Sequence, residues 1–533
     1  MDNLIAESSD VMVNSMNFGL PETAQYITGR RLVNYFPSGS NVYAPNAGNK
    51  NMRFLISGDD NQFLDLSSIR LFATLQNTDG TRNHFLRPLG GLHAFFSRYR
   101  CMIGGQQCQD IIEYARHCEL FNCFQSKEVR DMDDIESSAN PRWDADYHDY
   151  ANGLDVLVDI NAAGDDTTVY PNGDRNEWGR IDKRYTRHSL CGIPGQNGKA
   201  RFSHKPCCGI VGHGGKYYLP LRLASLELEW TIVSDGTLPV VVPQGDGSAG
   251  NYAANPVVLG QRDKEGYYFR AGDTSTSWEL NNVLIRAEVV SLDNTVANNI
   301  SSHISSGNSL KMYFPMYHTI TQTFNVGAGE INMNIVKSAS KLSGAFITLY
   351  RTPKQGIEFG KYLPDNYVYK RWNYFYNPMI NGRINDVGTA PADDALQGQG
   401  FADHSRQLSW QMQVQSTKYP EFEAQSLSET FYYLRQAIHY MNPEQESLSF
   451  SYRQYRENKF IIGMSFEKMH GNEGTSFTGI NTKMGSLMTF KLKLTEGQTA
   501  GRDYNLEGIE ELFVHLTSDA IVELRSDGAI LYD

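Results

Sequence analysis

The residues with the strongest chemical character are thiols and imidazoles crowded into one stretch. All seven cysteines lie between Cys101 and Cys208. His117-Cys118 with Cys123, and His204 with Cys207-Cys208 and His213, offer the thiolates and imidazoles that bind zinc. Neither group has the paired CxxC spacing that holds two ligands on one tight turn, so no metal is assigned. Small buried thiols are the plainer reading, with Cys101 on a strand and Cys118 on a helix. Carboxylates cluster at Asp131-Met132-Asp133-Asp134 and at Asp144, Asp146 and Asp149. The second cluster lacks the turn glycine and distal Glu of an EF-hand, and a solvated acidic loop fits better. Gly245-Asp246-Gly247 neither follows a strand nor opens a helix, so it is no phosphate cradle. HExxH, GxSxG and P-loop patterns are absent. A glycosidase pair need not be close in sequence, but nothing points to one among 60 acidic residues. No catalytic residue, cofactor or metal ligand is therefore expected, and the chain reads as something other than an enzyme.

Composition narrows the remaining classes. At 533 residues the chain exceeds one core, and two domains are the natural division. An aromatic share of 12% with 47 glycines favours strands joined by many turns. A net charge of -12 argues against coating nucleic acid, which needs clustered Lys and Arg to release counterions. No apolar run approaches the roughly 20 residues of a membrane span, and Met1 to Arg31 lacks a signal-peptide core. The expectation is a reducing compartment and free thiols. Asn299-Ile300-Ser301, a glycosylation sequon, carries little weight in that setting.

The elements that position these residues are mostly strands. Residues 1–50 are polar and irregular, an arm that frays or orders against a neighbouring subunit. Ile69, Leu71, Ala73 and Leu75 alternate with polar neighbours, and Leu226, Leu228, Trp230 and Ile232 form the clearest strand of the first half. Further strands are expected at Val283–Val290, Leu310–Phe314, Ile331–Ile335, Leu342–Leu349, Phe460–Phe466, Leu487–Leu494, Leu512–Leu516 and Ile521–Leu524. A strand over Phe95–Met102 ends at Ile103-Gly104-Gly105. A helix is then read from Gln107, on the spacing of Ile111, Ile112, Ala115, Leu120 and Phe121. Downstream, Leu408, Trp410, Met412 and Val414 alternate; after a polar connection, Ser426-Leu427-Ser428-Glu429 reads as a capping box. Leu427, Phe431, Leu434 and Ile438 make that helix's stripe, and Asn442-Pro443 stops it. A strand-then-helix unit in each half points to one β-rich domain built twice. Residues 126–187 and Thr352–Ser405 read as long loops, the second rich in aromatics: Tyr362, Tyr367, Tyr369, Trp372, Tyr374, Phe375 and Tyr376. Such a loop buries against another subunit or folds over its own domain.

Several short runs resemble one protein family. Phe63-Leu64-Asp65-Leu66-Ser67-Ser68, then Leu92-His93-Ala94-Phe95-Phe96-Ser97-Arg98 and Ile103-Gly104-Gly105, resemble the first domain of double jelly-roll major capsid proteins, as in polinton-like viruses and virophages. Tyr218-Leu219-Pro220-Leu221, Phe466-Glu467-Lys468 and Thr478-Gly479-Ile480-Asn481-Thr482 with Gly485 resemble later motifs of that family. The resemblance implies a mainly β fold of two tandem jelly rolls, each an antiparallel β-sandwich with an inserted helix and long loops. The boundaries it suggests are an N-terminal arm at 1–50, a first roll at 51–235, a linker at 236–278 and a second roll at 279–533. It further implies homotrimeric, pseudo-hexameric capsomers that tile an icosahedral virion shell assembled inside the host cell. The implied partners are the chain itself, neighbouring capsomers, and penton and minor capsid proteins, with no sequence-specific nucleic-acid binding. A carbohydrate-binding or carbohydrate-active jelly roll is the alternative, and solution size separates the two.

Overall fold

Period-2 alternation decides which faces these strands bury, and the burial follows it closely. The computed structural model describes residues 27–59, 61–82, 84–86, 88–137, 193–240, 274–324, 330–351, 370–379, 407–441, 448–450, 454–455, 458–468, 478–483, 487–495 and 509–533. The first set of strands is β1 (Ile27–Tyr35), β2 (Asn51–Ile56), β3 (Arg70–Asn77), β4 (Phe96–Ile103), β5 (Gln106–Ile112), β6 (Lys199–His204), β7 (Leu226–Ile232) and β8 (Trp278–Leu292). Helices α1 (Tyr114–Asn122) and α2 (Lys127–Ser137) lie between β5 and β6. After α3 (Asn294–Ser305) comes the second set: β9 (Leu310–Thr323), β10 (Glu330–Ile335), β11 (Leu342–Tyr350), β12 (Gln407–Val414), β13 (Thr417–Ala424), β14 (Ile461–Ser465), β15 (Met488–Thr495) and β16 (Glu511–Arg525). Helix α4 (Leu427–Met441) lies between β13 and β14, and β17 (Gly528–Tyr532) folds back on β16.

Strand order reveals the duplication. One sheet of the first set contains the path β1-β8-β3-β6, all antiparallel, extended by short strands at Val42–Tyr43, Gln62–Asp65 and Tyr218–Pro220. The other runs β2-β7-β4-β5. The second set repeats both, as β9-β16-β11-β14 and β10-β15-β12-β13, each strand eight places later in the chain. Even the edge strands match: β2 and β10 share the same strict alternation of exposed and buried residues. Two four-stranded sheets with this interleaved order make a jelly roll, and the chain holds two of them. Each roll also places its helices after the hairpin that ends the second sheet.

Five expectations are corrected by these pairings. Trp278–Leu292 is not the start of the second roll. It pairs with β1 on one side and β3 on the other and closes the first roll, so the second begins at Leu310 beyond α3. Alternation identifies a strand but says nothing about which sheet receives it. Likewise, Ile27–Tyr35 is a strand of the first roll rather than part of an arm. Gln106–Ile112 is strand β5, joined to β4 by the Gly104-Gly105 turn, where both glycines take positive φ (55° and 82°). The helix starts only after Glu113, itself left-handed at φ 53°. Last, Thr417–Ala424 is an edge strand rather than a polar connection, and Leu512–Leu524 is one unbroken strand.

The helix of the second half matches its sequence signature. Ser426 Oγ accepts from Glu429 N at 3.1 Å, and the Glu429 carboxylate reaches back to Gln425 N at 2.9 Å. Leu434, Ala437 and Ile438 are buried and α4 packs on β14. The acidic run Asp131–Asp134 lies in helix α2 rather than in a loop; Asp144, Asp146, Asp149, Gly245-Asp246-Gly247 and Cys191 fall outside the described residues.

Candidate functional site at the junction of the two rolls

Helix α1 belongs to the first roll by sequence, yet its Arg116 and Glu119 side chains reach partners in the second. Arg116 is fully buried. Its Nε donates to Thr348 Oγ1 at 3.0 Å, one Nη to Leu349 O at 3.0 Å, and the other to Tyr374 O at 2.9 Å and to Arg371 O. The guanidinium also stacks between the rings of Phe375 (4.7 Å) and Phe513 (4.2 Å). Burial draws its pKa down to about 9, which leaves it charged at neutral pH. A buried cation held this way needs its donors satisfied, and the Thr348 hydroxyl and Leu349 carbonyl of β11, with the carbonyls of Arg371 and Tyr374, supply the acceptors.

One turn further along, Glu119 anchors a second tie. Arg130 of α2 grips both carboxylate oxygens at 2.8 Å, and Lys459 of the second roll donates to one of them at 2.8 Å. Lys459 also donates to Asn373 O at 2.7 Å, and Arg130 to Ser449 Oγ at 3.1 Å. Burial alone would raise the Glu119 carboxyl, but the two cations outweigh it and hold the group well below the usual range. Arg371 adds a more exposed bridge, reaching Glu113 at 3.1 Å and Glu511 at 2.6 Å. These ties join α1 and α2 to β11, β16 and the segment before β14.

The aromatic segment closes the same seam. Trp372 is 5% exposed, donates to Leu238 O at 3.0 Å and meets the His93 ring edge-on at 5.6 Å. Burial pulls the His93 imidazole down to about 4. A Cβ on Gly90 would come within 2.7 Å of the Trp372 ring, so the glycine gives the indole its seat. Phe375 N bonds Asn458 O and Tyr376 N bonds Leu349 O. Trp372, Tyr374, Phe375 and Tyr376 thus bury against their own chain, across both rolls, and this overturns a subunit-contact role for them; Tyr362, Tyr367 and Tyr369 lie outside the described residues.

The thiols gather beside this junction. Cys101, Cys108, Cys118, Cys123, Cys207 and Cys208 are all buried and unbridged. The Tyr114 hydroxyl accepts from Cys207 N at 3.0 Å and pairs with His204 Nε2 at 2.8 Å. Among the described residues, no group of three or more His, Cys, Asp or Glu is arranged to hold a metal ion. His204 and His213 are therefore not brought together with the thiols as ligands: His213 turns to Asp133 at 3.8 Å instead. Arg116, Glu119, Arg130 and Lys459 were not legible as site residues in the sequence; for Arg116, Glu119 and Arg130, charges on helices were the available signal.

Among the described residues no helix is long and apolar enough to cross a membrane. No protein-family model matches the sequence, and no curated protein matches it significantly. Solved structures do. The VP54 protein of PBCV-1, fitted into a reconstruction of the virophage Sputnik, aligns over 96% of this chain and 99% of its own, with a TM-score of 0.52 and 11% identity. A quasi-atomic structure of the PBCV-1 virus capsid gives the same figures. The Sputnik virophage structure aligns over 96% of this chain and 89% of its own, at 9% identity and a TM-score of 0.49. At such identities the likeness to the PBCV-1 structures establishes a shared fold, end to end: the chain is a double jelly roll.

Proposed function

We propose that this chain is a structural major capsid protein, whose homotrimer forms a pseudo-hexagonal capsomer of an icosahedral virion shell. The observation that carries the reading is the full-length match, both rolls in order, to a protein described within a virus capsid. Two rolls per chain give six per trimer, and a near-hexagonal tower needs the two rolls of a chain held in a fixed relation. The Arg116 and Glu119–Lys459 ties supply that rigidity. Exposed apolar side chains are available for contacts between copies on both rolls: Leu32, Phe36 and Leu55 on the first, Val336, Phe422 and Tyr432 on the second. The excess of acidic over basic residues, 60 against 48, suits a shell that does not condense early on nucleic acid. Penton and minor capsid proteins are the further partners this role requires.

The test is solution size and shape. Light scattering on purified protein should give about three times the chain mass of 60.0 kDa. Electron micrographs should show hexagonal outlines. A monodisperse monomer at micromolar concentration would overturn the proposal.

A further inference from the structure

The duplicated topology makes one edge-to-edge contact inside the chain and leaves both halves of a second one bare. β5 is an edge strand in the first roll, and β9 is an edge strand in the second. These two edges lie against each other: Gln109 of β5 is fully buried, and its Nε2 donates to Tyr317 O of β9 at 2.9 Å. The turn before β5 joins the contact, since a Cβ on Gly104 would come within 3.0 Å of the Ala529 side chain on β17. Eight strands later the counterpart of β5 is β13, and eight strands earlier the counterpart of β9 is β1. Among the described residues, β13 pairs only with β12 and β1 only with β8. Cys108, Gln109 and Ile111 of β5 are buried, but Ala424 alone is buried in β13 and no residue is buried in β1. Phe422 of β13 is 79% exposed and Leu32 of β1 is 62% exposed. The two bare edges also differ in charge. β1 carries Arg30 and Arg31 and no carboxylate, whereas β13 carries Glu421 and Glu423 on either side of Phe422, with Lys418 near its start.

We propose that β13 of one copy docks along β1 of the next, repeating between chains the β5–β9 contact made inside each. The inference rests on the capsomer reading and gives it an interface. Such a contact is heterologous, because each copy offers one edge and receives on the other, and the series ends when rotation closes it into a ring. Contacts within and between chains then join the same two kinds of strand. Every roll in the ring has equivalent neighbours on both sides, as a near-hexagonal outline of six rolls requires. Phe422 and Leu32 leave water at this contact. The carboxylates of Glu421 and Glu423 meet the arginines of β1, which fixes partner and direction, since β1 against β1 or β13 against β13 would bring like charges together.

The experiment uses the full chain and two variants, Phe422→Asp on β13 and Leu32→Asp on β1. Both side chains are exposed within one chain, so each variant should fold with the melting behaviour of the separated parent subunit. Light scattering should read three chain masses for the parent and one, 60.0 kDa, for either variant at the same micromolar concentration. A parent that is itself monomeric removes the capsomer reading and this interface with it. A trimeric parent whose two variants both stay trimeric overturns the interface alone and leaves the capsomer standing. Dimers in either variant also overturn it, because they mean that an edge pairs with its own kind. Hydrogen exchange on the unsubstituted protein decides the matter even if a variant does not fold. Backbone amides over 27–35 and 417–424 should exchange more slowly in the trimer than in separated subunits, and equal rates at both edges refute the docking.

Discussion

Lys459 and Glu119 lie 340 residues apart in sequence and 2.8 Å apart in space, with side chains only 2% and 4% exposed. One comes from each roll, so the Lys459 ammonium meets this carboxylate across the junction. With Arg130 on the far side of the carboxylate, the three groups make a buried network whose removal piecemeal is costly, because any survivor is left charged and unpaired.

Glu119→Gln leaves two buried cations without their counter-charge. The expected loss is about 3–5 kcal/mol of unfolding free energy, read by denaturant melts. Lys459→Met should cost less, since Arg130 still pairs with the carboxylate. The pH dependence has a definite sign. The folded carboxyl titrates below its ordinary value of 4.5, so its stabilisation is present above that pH and is lost as pH falls through the folded value. A Glu119→Gln chain whose melting curve matches the parent at neutral pH would show the network to be dispensable.

Asp519 works in the opposite sense. Burial first, and then the charge of Glu467, push its carboxyl up from 3.8 to about 7. A raised folded pKa gives stability that is full below 3.8 and is lost as pH rises through 7. Asn mimics the protonated form. Asp519→Asn should therefore melt with the parent near pH 4 and progressively above it by pH 7, the gain levelling off beyond. Parallel curves across that range would mean Asp519 titrates normally.

How much of this was legible in the residues depends on what each pattern encodes. Leu226–Ile232 announces itself because one face is wholly apolar and buried while the other carries Glu227, Glu229 and Thr231. Ser426 and Glu429 announce a helix start because capping is local chemistry. Thr417–Ala424 was hidden for the converse reason: as an edge strand exposed on both faces, it has no alternation to read. Ile111 and Ile112 fell by chance into helical spacing with Ala115, although both isoleucines end strand β5 and Ala115 lies in the helix after it. The closing strand of the first roll looked like the opening of the second, since pairing partners lie hundreds of residues away. The Lys459–Glu119 tie is of that same kind, and no single segment contains it.

Leu434 tests the stripe on α4. It is fully buried, and a Cβ on Gly463 of β14 would come within 2.8 Å of it, so helix and strand are in close contact there. Leu434→Ala should cost about 2–5 kcal/mol. Ser426→Ala removes the cap bond to Glu429 N, with the Ser428 hydroxyl contact, and should cost about 0.5–2 kcal/mol. Equal losses in the two variants would mean that packing on β14 contributes nothing beyond the cap.

Trp372 separates the contacts that build one chain from those that join several. Its indole is seated over Gly90, bonded to Leu238 O and stacked edge-on against His93, all in the first roll, while its neighbours Tyr374, Phe375 and Tyr376 bury against the second. Trp372→Ala therefore opens a cavity inside the chain and leaves the Leu238 carbonyl without this donor. A loss of about 3–5 kcal/mol in unfolding is expected. Subunit stoichiometry, by contrast, should be unchanged wherever the variant remains folded, because no part of the ring is left for another copy to cover. Light scattering under conditions where both proteins are native reads the second quantity independently of the first. Easier dissociation with unaltered unfolding of the separated subunit would return the tryptophan to the space between subunits and refute its place in the seam.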